Sequence, residues 1–162
     1  MKTSFVRRGG MWVVAQFVLL TIILFGTLFL RATKLEAGWQ YPIGLVLSGV
    51  GIASIVMGIW LFRRSMYDLG QNLTPYPKPN NKGNLIQTGT YGIVRHPIYS
   101  AAILLSLGWS LGINSLVGLV GSVVLLVFFD RKAAREEVWL AEKYADYEQY
   151  KNKVKKLIPG IY

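Results

Sequence analysis

The run Pro97–Phe129, PIYSAAILLSLGWSLGINSLVGLVGSVVLLVFF, holds thirty-three residues and no charge. About 20 apolar residues cross a bilayer core of roughly 30 Å, so this run is too long for one spanning helix and short for two. Gly112-Ile113-Asn114 in its middle carries turn residues. The run therefore reads as a helical hairpin broken there. At about 1.5 Å per residue its arms reach only roughly 21–23 Å, so the hairpin either sits off-centre or continues into polar helix at one end. A single tilted helix is the alternative, and it would send the C-terminus to the other side.

Two further uncharged blocks lie upstream, Met11–Leu30 and Pro42–Phe62. Each has the length of one transmembrane helix. The expected fold is all-α and polytopic: four transmembrane helices, the last two a hairpin, followed by a cytoplasmic C-terminal helix. Residues 1–162 read as one domain, with two spans in 1–62 and a loop, hairpin and terminal helix in 63–162. The first block is too long for a cleaved signal peptide and lacks a small-residue cleavage site. There is no cysteine, which excludes disulfides, cysteine-ligated metals and thiol catalysis. No metal is implied.

The formal net charge is +10 although 52% of the residues are hydrophobic. Both facts fit a chain whose basic residues flank spans. Lys2, Arg7 and Arg8 precede the first block. Arg31, Lys34 and Glu36 follow it with little net charge. Arg63, Arg64, Lys78, Lys82 and Arg95 then face a single acid, Asp68. Positive charge marks the cytoplasmic ends of spans, so four spans place both termini and the 63–97 loop inside. The expected setting is the plasma (inner) membrane, with the bilayer as partner and no nucleic acid. No feature sets an oligomeric state.

Within the loop, Thr74-Pro75-Tyr76-Pro77-Lys78-Pro79 has prolines at alternate positions. They forbid helix and favour extended backbone. The segment reads as a stiff linker or as a strap across a site at the membrane surface. Gly89 is expected to turn the chain before Tyr91. After Asp130 the sequence reads as one helix to about Val154, ended by Pro159-Gly160. Val138, Trp139, Leu140, Tyr144, Tyr147, Tyr150 and Val154 give it an apolar-aromatic face suited to packing.

Two clusters carry the chemistry. In Arg95-His96-Pro97-Ile98-Tyr99 the proline suits a first helical turn, which puts His96 at a helix N-terminus. Free backbone N–H groups there favour an anion, with Arg95 and His96 as added donors. A basic interface anchor is the plainer account. Glu136-Glu137 lies about two turns beyond the apolar run, where a carboxylate can receive an ammonium or ribose hydroxyls. Lys132 and Glu136 stand four apart, so intrahelical pairing is the plainer account there. Together the clusters suit an amino-acid-like zwitterion, and Leu85, Ile86 and Tyr91 suit an aromatic slot beside it.

At these residues the sequence resembles the isoprenylcysteine carboxyl methyltransferase and phospholipid methyltransferase superfamily of membrane enzymes. The likeness runs from about Leu73 to Pro159. It is carried by Leu85-Ile86-Gln87-Thr88-Gly89-Thr90-Tyr91, Val94-Arg95-His96-Pro97-Ile98-Tyr99-Ser100, Glu136-Glu137-Val138-Trp139-Leu140 and Leu157-Ile158-Pro159. The resemblance implies an S-adenosylmethionine site at the cytoplasmic face, bound by Asn84, Leu85, Ile86, Tyr91, His96, Pro97, Ile98, Tyr99 and Glu136. It also implies substrate contact four residues before the first glutamate. There the carboxyl methyltransferases have arginine and this chain has Lys132, beside Arg131. Lysine gives no bidentate grip. Gly49-Val50-Gly51 matches a Gly-x-Gly of the phospholipid enzymes, although glycines in spans commonly serve packing.

The activity so implied is methyl transfer from S-adenosylmethionine to a lipophilic or membrane-associated small molecule, with carboxyl O-methylation as the leading case. Amine N-methylation is the alternative within the family, and a non-catalytic membrane regulator keeping the fold is the alternative outside it. A sterol-reductase-like enzyme is disfavoured because those chains are much longer. His96 is expected to serve as a cofactor ligand rather than a general base, and no catalytic residue is singled out.

Overall fold

In the computed structural model, residues 2–36, 38–79 and 83–162 are described. Asn80, Asn81 and Lys82 of the proline-rich segment lie outside them. Among the described residues six α-helices follow in chain order: α1 (Lys2–Arg7), α2 (Gly10–Ala32), α3 (Ile43–Leu69), α4 (Pro97–Gly112), α5 (Leu116–Lys143) and α6 (Tyr147–Lys153). Among the described residues the extended pairing is one isolated parallel bridge, Val94 to Lys155.

The uncharged run is two helices, turned at Ile113–Ser115. Asn114 takes a positive φ of 56°, a conformation asparagine tolerates better than most residues. Ser115 caps α5 by accepting from Gly118 N at 2.9 Å. Glu36, from the loop after α2, reaches the same end, accepting from Ser115 Oγ at 2.6 Å and Val117 N at 2.8 Å.

The two arms differ in length. The 16 residues of α4 rise about 24 Å. The 28 residues of α5 rise about 42 Å, because the helix does not stop at Phe129 but carries Asp130–Lys143 as the same rod. The single terminal helix expected from Asp130 to Val154 is therefore corrected. It breaks at Tyr144-Ala145-Asp146, and α6 follows as a separate helix. No proline or glycine marks that break. The backbone leaves helical geometry at Tyr144, which has φ −119° and ψ 116°.

Helices α2 and α3 are long and apolar enough to cross a membrane, and α4 is a shorter apolar helix. Residues such as Val14, Phe17, Val18, Ile22 and Phe25 on α2, and Val46, Val50, Ile52, Val56 and Trp60 on α3, are exposed. Inward packing is close. A Cβ on Gly51 would lie 2.7 Å from Gly108 O, and one on Gly108 would lie 2.7 Å from Gly51 O, so the backbones of α3 and α4 touch. Gly49, by contrast, faces open space. Between α4 and α5, Ser106 Oγ and Ser122 Oγ are 2.8 Å apart, and Trp109 Nε1 donates to Thr27 Oγ1 of α2 at 3.0 Å. Such bonds hold helices together where no water competes. Ile23, Leu125 and Phe129 form the apolar core below the site, with Tyr99 packed on them.

Candidate functional site

The start of α2, the end of α3, the start of α4 and the polar part of α5 meet at one end of the bundle. They enclose a cavity of about 530 Å³, within the usual range of small-molecule and cofactor sites. Each wall has a local cause. Helix α3 runs two turns past Phe62, and Asp68 there accepts from Thr90 N at 2.8 Å and Thr90 Oγ1 at 2.9 Å. The Thr90 amide is the main reason why the Asp68 carboxyl titrates below its ordinary value. Gly89, at φ +63°, makes the expected turn. A Cβ on it would strike the Asp68 carboxylate. The turn delivers Tyr91, buried, to the cavity wall.

The proline-rich segment forms another wall, through Thr74, Pro75, Tyr76 and Pro79. It is held from both directions. Lys78 N donates to Arg8 O, and the Arg8 guanidinium sits 4.3 Å from the Tyr76 ring centroid. At its other end, Gly83 O accepts from Tyr144 Oη at 2.7 Å and Lys143 Nζ at 3.0 Å.

Arg95 and His96 are fixed by the C-terminal segment. Arg95 N donates to Lys155 O at 2.8 Å and His96 N to Lys156 O at 3.1 Å. Ser100 Oγ donates to Leu157 O at 2.7 Å. His96 caps α4 with non-helical dihedrals, and Pro97 occupies the first turn as expected.

The two glutamates have different surroundings. Glu137 is buried and takes Arg95 Nε and Nη2, each at 2.9 Å, and His96 Nε2 at 3.1 Å. Arg95 Nη1 also donates to the carbonyls of Lys151 and Val154. Burial alone would raise the Glu137 carboxyl, but the bonds from His96 and Arg95 reverse this and hold it down to about 2. Arg95 also lines the cavity, with its guanidinium engaged by Glu137 and the end of α6.

Glu136 faces the cavity. Its Oε2 accepts from Tyr99 Oη at 2.5 Å and lies 3.9 Å from His96 Nδ1. Burial pushes its carboxyl above the ordinary value, and His96, Tyr99 and Lys132 offset only part of that. Tyr99 is stacked between His96, at 5.3 Å, and Phe129, at 4.8 Å, so its hydroxyl has one direction to point.

Of the residues predicted from sequence, Asn84, Leu85, Ile86, Tyr91, His96, Ile98, Tyr99, Lys132 and Glu136 line the cavity. Pro97 is buried behind it. Arg131 is exposed and does not line it. Among the described residues Lys132 makes no ion pair with Glu136; its Nζ bonds Gln16 Oε1 of α2. Tyr144, Tyr147 and Tyr150, read from sequence as packing residues, also line the cavity. Tyr150 Oη donates to Tyr91 O at 2.6 Å, whereas the buried Tyr147 Oη has no partner among the described residues. Their three-residue spacing was the available signal, but it reads equally as a packed stripe. Gly49 and Gly51 lie away from the cavity, and Gly51 serves helix contact.

The sequence model described as phospholipid methyltransferase matches residues 47–147, from α3 to the first residue of α6. The chain belongs to the phospholipid methyltransferase family. Similar proteins include a protein-S-isoprenylcysteine O-methyltransferase of Schizosaccharomyces pombe, 35% identical over 66% of this chain and 47% of that protein. One of the same name from Saccharomyces cerevisiae is 30% identical over 69% of this chain and 48% of its own length. The cobalt-zinc-cadmium resistance protein CzcN of Cupriavidus metallidurans is 25% identical over 96% of this chain and 65% of its length. The chain thus spans about half the length of the two yeast relatives. The family match contains Asp68, Tyr91, Arg95, His96, Tyr99, Lys132, Glu136 and Glu137, but not α2.

Proposed function

We propose that this chain is an integral-membrane, S-adenosylmethionine-dependent methyltransferase that O-methylates a carboxylate on a lipophilic acceptor. The single observation that carries the reading is Glu136. It is a half-buried carboxylate held by Tyr99 at the wall of a cofactor-sized cavity, in a chain of a methyltransferase family. Two features support the fit. A carboxylate whose neighbours only partly offset its burial favours a cationic ligand group. The unpartnered Tyr147 hydroxyl leaves a polar atom that a ligand can satisfy.

On this reading Glu136 receives the ammonium or ribose hydroxyls of the cofactor. Leu85, Ile86 and Tyr91 line the slot for its adenine, and Asn84, Ile98 and His96 complete the wall. S-adenosylmethionine supplies a methyl group on a sulfonium, open to displacement by a nucleophile. The protein's part is to exclude water and hold the acceptor in line, which is where most of the rate gain in such a reaction arises. A carboxylate acceptor needs no base, so His96 is required only as a ligand and as a partner of Glu137.

The four spans are α2, α3 up to Phe62, α4 and the apolar part of α5 up to Phe129. The cavity, Arg8, Arg63 and Arg64 share one end of the bundle, the cytoplasmic end by the distribution of basic residues. The N-methyltransferase alternative rests on the description of the family itself.

Native membranes containing the protein, given methyl-labelled S-adenosylmethionine, should yield a base-labile methyl ester on a lipophilic product. Label on a phospholipid amine instead would replace O- by N-methylation. Absence of S-adenosylmethionine binding to well-folded protein in detergent would end the enzyme reading.

A further inference from the structure

The amide of Gln16 stands in a helix whose uncharged stretch, Met11–Leu30, is otherwise almost wholly apolar. Polar side chains in such segments are rare and commonly mark function. Gln16 is half-buried, lines the cavity, and accepts a hydrogen bond from Lys132 Nζ across the gap between α2 and α5. Lysine only donates, so the Gln16 oxygen must face Lys132 and the Nε2 donor is turned the other way. Among the described residues that Nε2 has no hydrogen-bond partner, and Lys132 Nζ has no carboxylate within 4.0 Å. A cation and an amide donor therefore stand together beside a cavity, and Glu136, the carboxylate whose charge acts on Lys132, does so from beyond ion-pair distance.

Their position along α5 separates them from the cofactor-facing carboxylate. Lys132 lies one turn before Glu136, about 6 Å nearer the apolar end of the helix. The Tyr99 side chain touches both. Lys132 Nζ is 4.8 Å from its centroid, while the hydroxyl points to Glu136. A group arriving from the apolar side of the bundle meets Gln16 and Lys132 first.

We infer that Gln16 is a specificity-determining residue: with Lys132 it forms a two-point clamp for the anionic head of the acceptor, a carboxylate. The inference rests on the methyltransferase reading for the acceptor's role, though not for its binding. A lysine is a point charge and does not fix the orientation of a planar carboxylate by itself. The Gln16 amide supplies the second, directional donor from another helix. Gln16 also lies outside residues 47–147, the part matched to the family. The clamp is thus built half from the shared segment and half from a helix outside it, which lets acceptor choice change without disturbing the cofactor wall.

The test uses full-length protein in detergent and two binding probes, S-farnesyl-N-acetylcysteine and its uncharged carboxamide, with S-adenosylhomocysteine affinity measured in parallel. The native protein should bind the acid at least tenfold tighter than the amide. In Gln16→Glu the new carboxylate pairs with Lys132, and the preference should fall below threefold, with S-adenosylhomocysteine affinity within about twofold of native. Gln16→Asn keeps the amide but is one methylene too short, so it should lose part of the preference without adding charge. Equal binding of acid and amide by the native protein would overturn the clamp, as would an undiminished preference in both variants. Failure of S-adenosylhomocysteine to bind folded protein would instead overturn the methyltransferase reading, and the acid-to-amide ratio would still be read separately.

Discussion

Tyr99 Oη donates to Glu136 Oε2 at 2.5 Å, across the hairpin from the first turn of α4 to the polar half of α5. The two residues are thirty-seven positions apart, and the bond sits where the apolar core ends and the cavity begins. It aligns Glu136, a cavity-facing carboxylate whose neighbours leave its burial only partly compensated.

Tyr99→Phe removes that bond and keeps the ring between His96 and Phe129. A hydrogen bond to a charged group contributes about 1.5–3 kcal/mol. S-adenosylhomocysteine affinity should fall by roughly ten- to a hundredfold, and the melting temperature should drop less than in a variant that breaks the Glu137 network. Titration calorimetry in detergent reads the affinity, and a native-like value in the variant would show that Tyr99 does not orient Glu136 for the ligand.

The adjacent glutamates should separate into a ligand residue and a structural one. Glu137→Ala leaves Arg95 and His96 without their buried partner, a loss of about 3–5 kcal/mol for a broken buried pair. Glu136→Gln leaves that network whole. The first variant should unfold at clearly lower temperature. The second should melt like the native protein yet fail to bind S-adenosylhomocysteine. Equal melting temperatures for both variants would contradict this division.

Acid sensitivity should follow Glu137. Its carboxyl is held at about 2, below the ordinary 4.5. A group whose pKa is lower folded than unfolded adds stability that is complete above the unfolded value and disappears as pH falls through the folded one. Native stability should thus decline from about pH 4.5 toward 2, and Glu137→Gln should show a flatter decline over that window. Asp68, held down chiefly by the Thr90 amide, is present in both proteins and cancels in the comparison. Chemical denaturation at stepped pH provides the curves, and parallel curves would count against the assignment.

Gly49 and Gly51 should respond oppositely to alanine. At Gly51 a methyl group would strike the α4 backbone at 2.7 Å, whereas at Gly49 it meets nothing within 4 Å. Backbone cannot yield as a side-chain tip does, so Gly51→Ala should cost about 1–3 kcal/mol. Gly49→Ala should be neutral or slightly stabilising. Unfolding measured in one detergent compares them. Loss of cofactor affinity in Gly49→Ala would restore the alternative that this pair belongs to a binding motif.

Much of the fold was legible because the relevant signals are local. Pro97 marked the start of α4, Gly112-Ile113-Asn114 the turn, and Gly89 the left-handed position before Tyr91. The continuation of α5 through Asp130–Lys143 was less so. Charged residues end an apolar run without ending a helix, and hydropathy alone does not distinguish the two. The break at Tyr144 carries no proline or glycine, and that helix end is set by Tyr144 reaching Gly83 across the loop. The cavity lining was partly legible through motif order, but Lys132 showed its limit. Four-residue spacing suggested a pair with Glu136, and its hydrogen-bond partner is Gln16, 116 positions away.

By itself the sequence determined that this chain is helical, where its apolar runs begin and end, and which short motifs carry chemistry. Those properties follow from side-chain period, backbone restrictions and charge along a line. Only the tertiary structure decided which glutamate faces the cavity, that Arg95 is held by Glu137, that Arg131 points away, and that Gln16 meets Lys132. Adjacent residues on a helix differ by about 100° in direction, so Glu136 and Glu137 look alike in sequence. They become different residues only when α4, α6 and the C-terminal segment close around one of them.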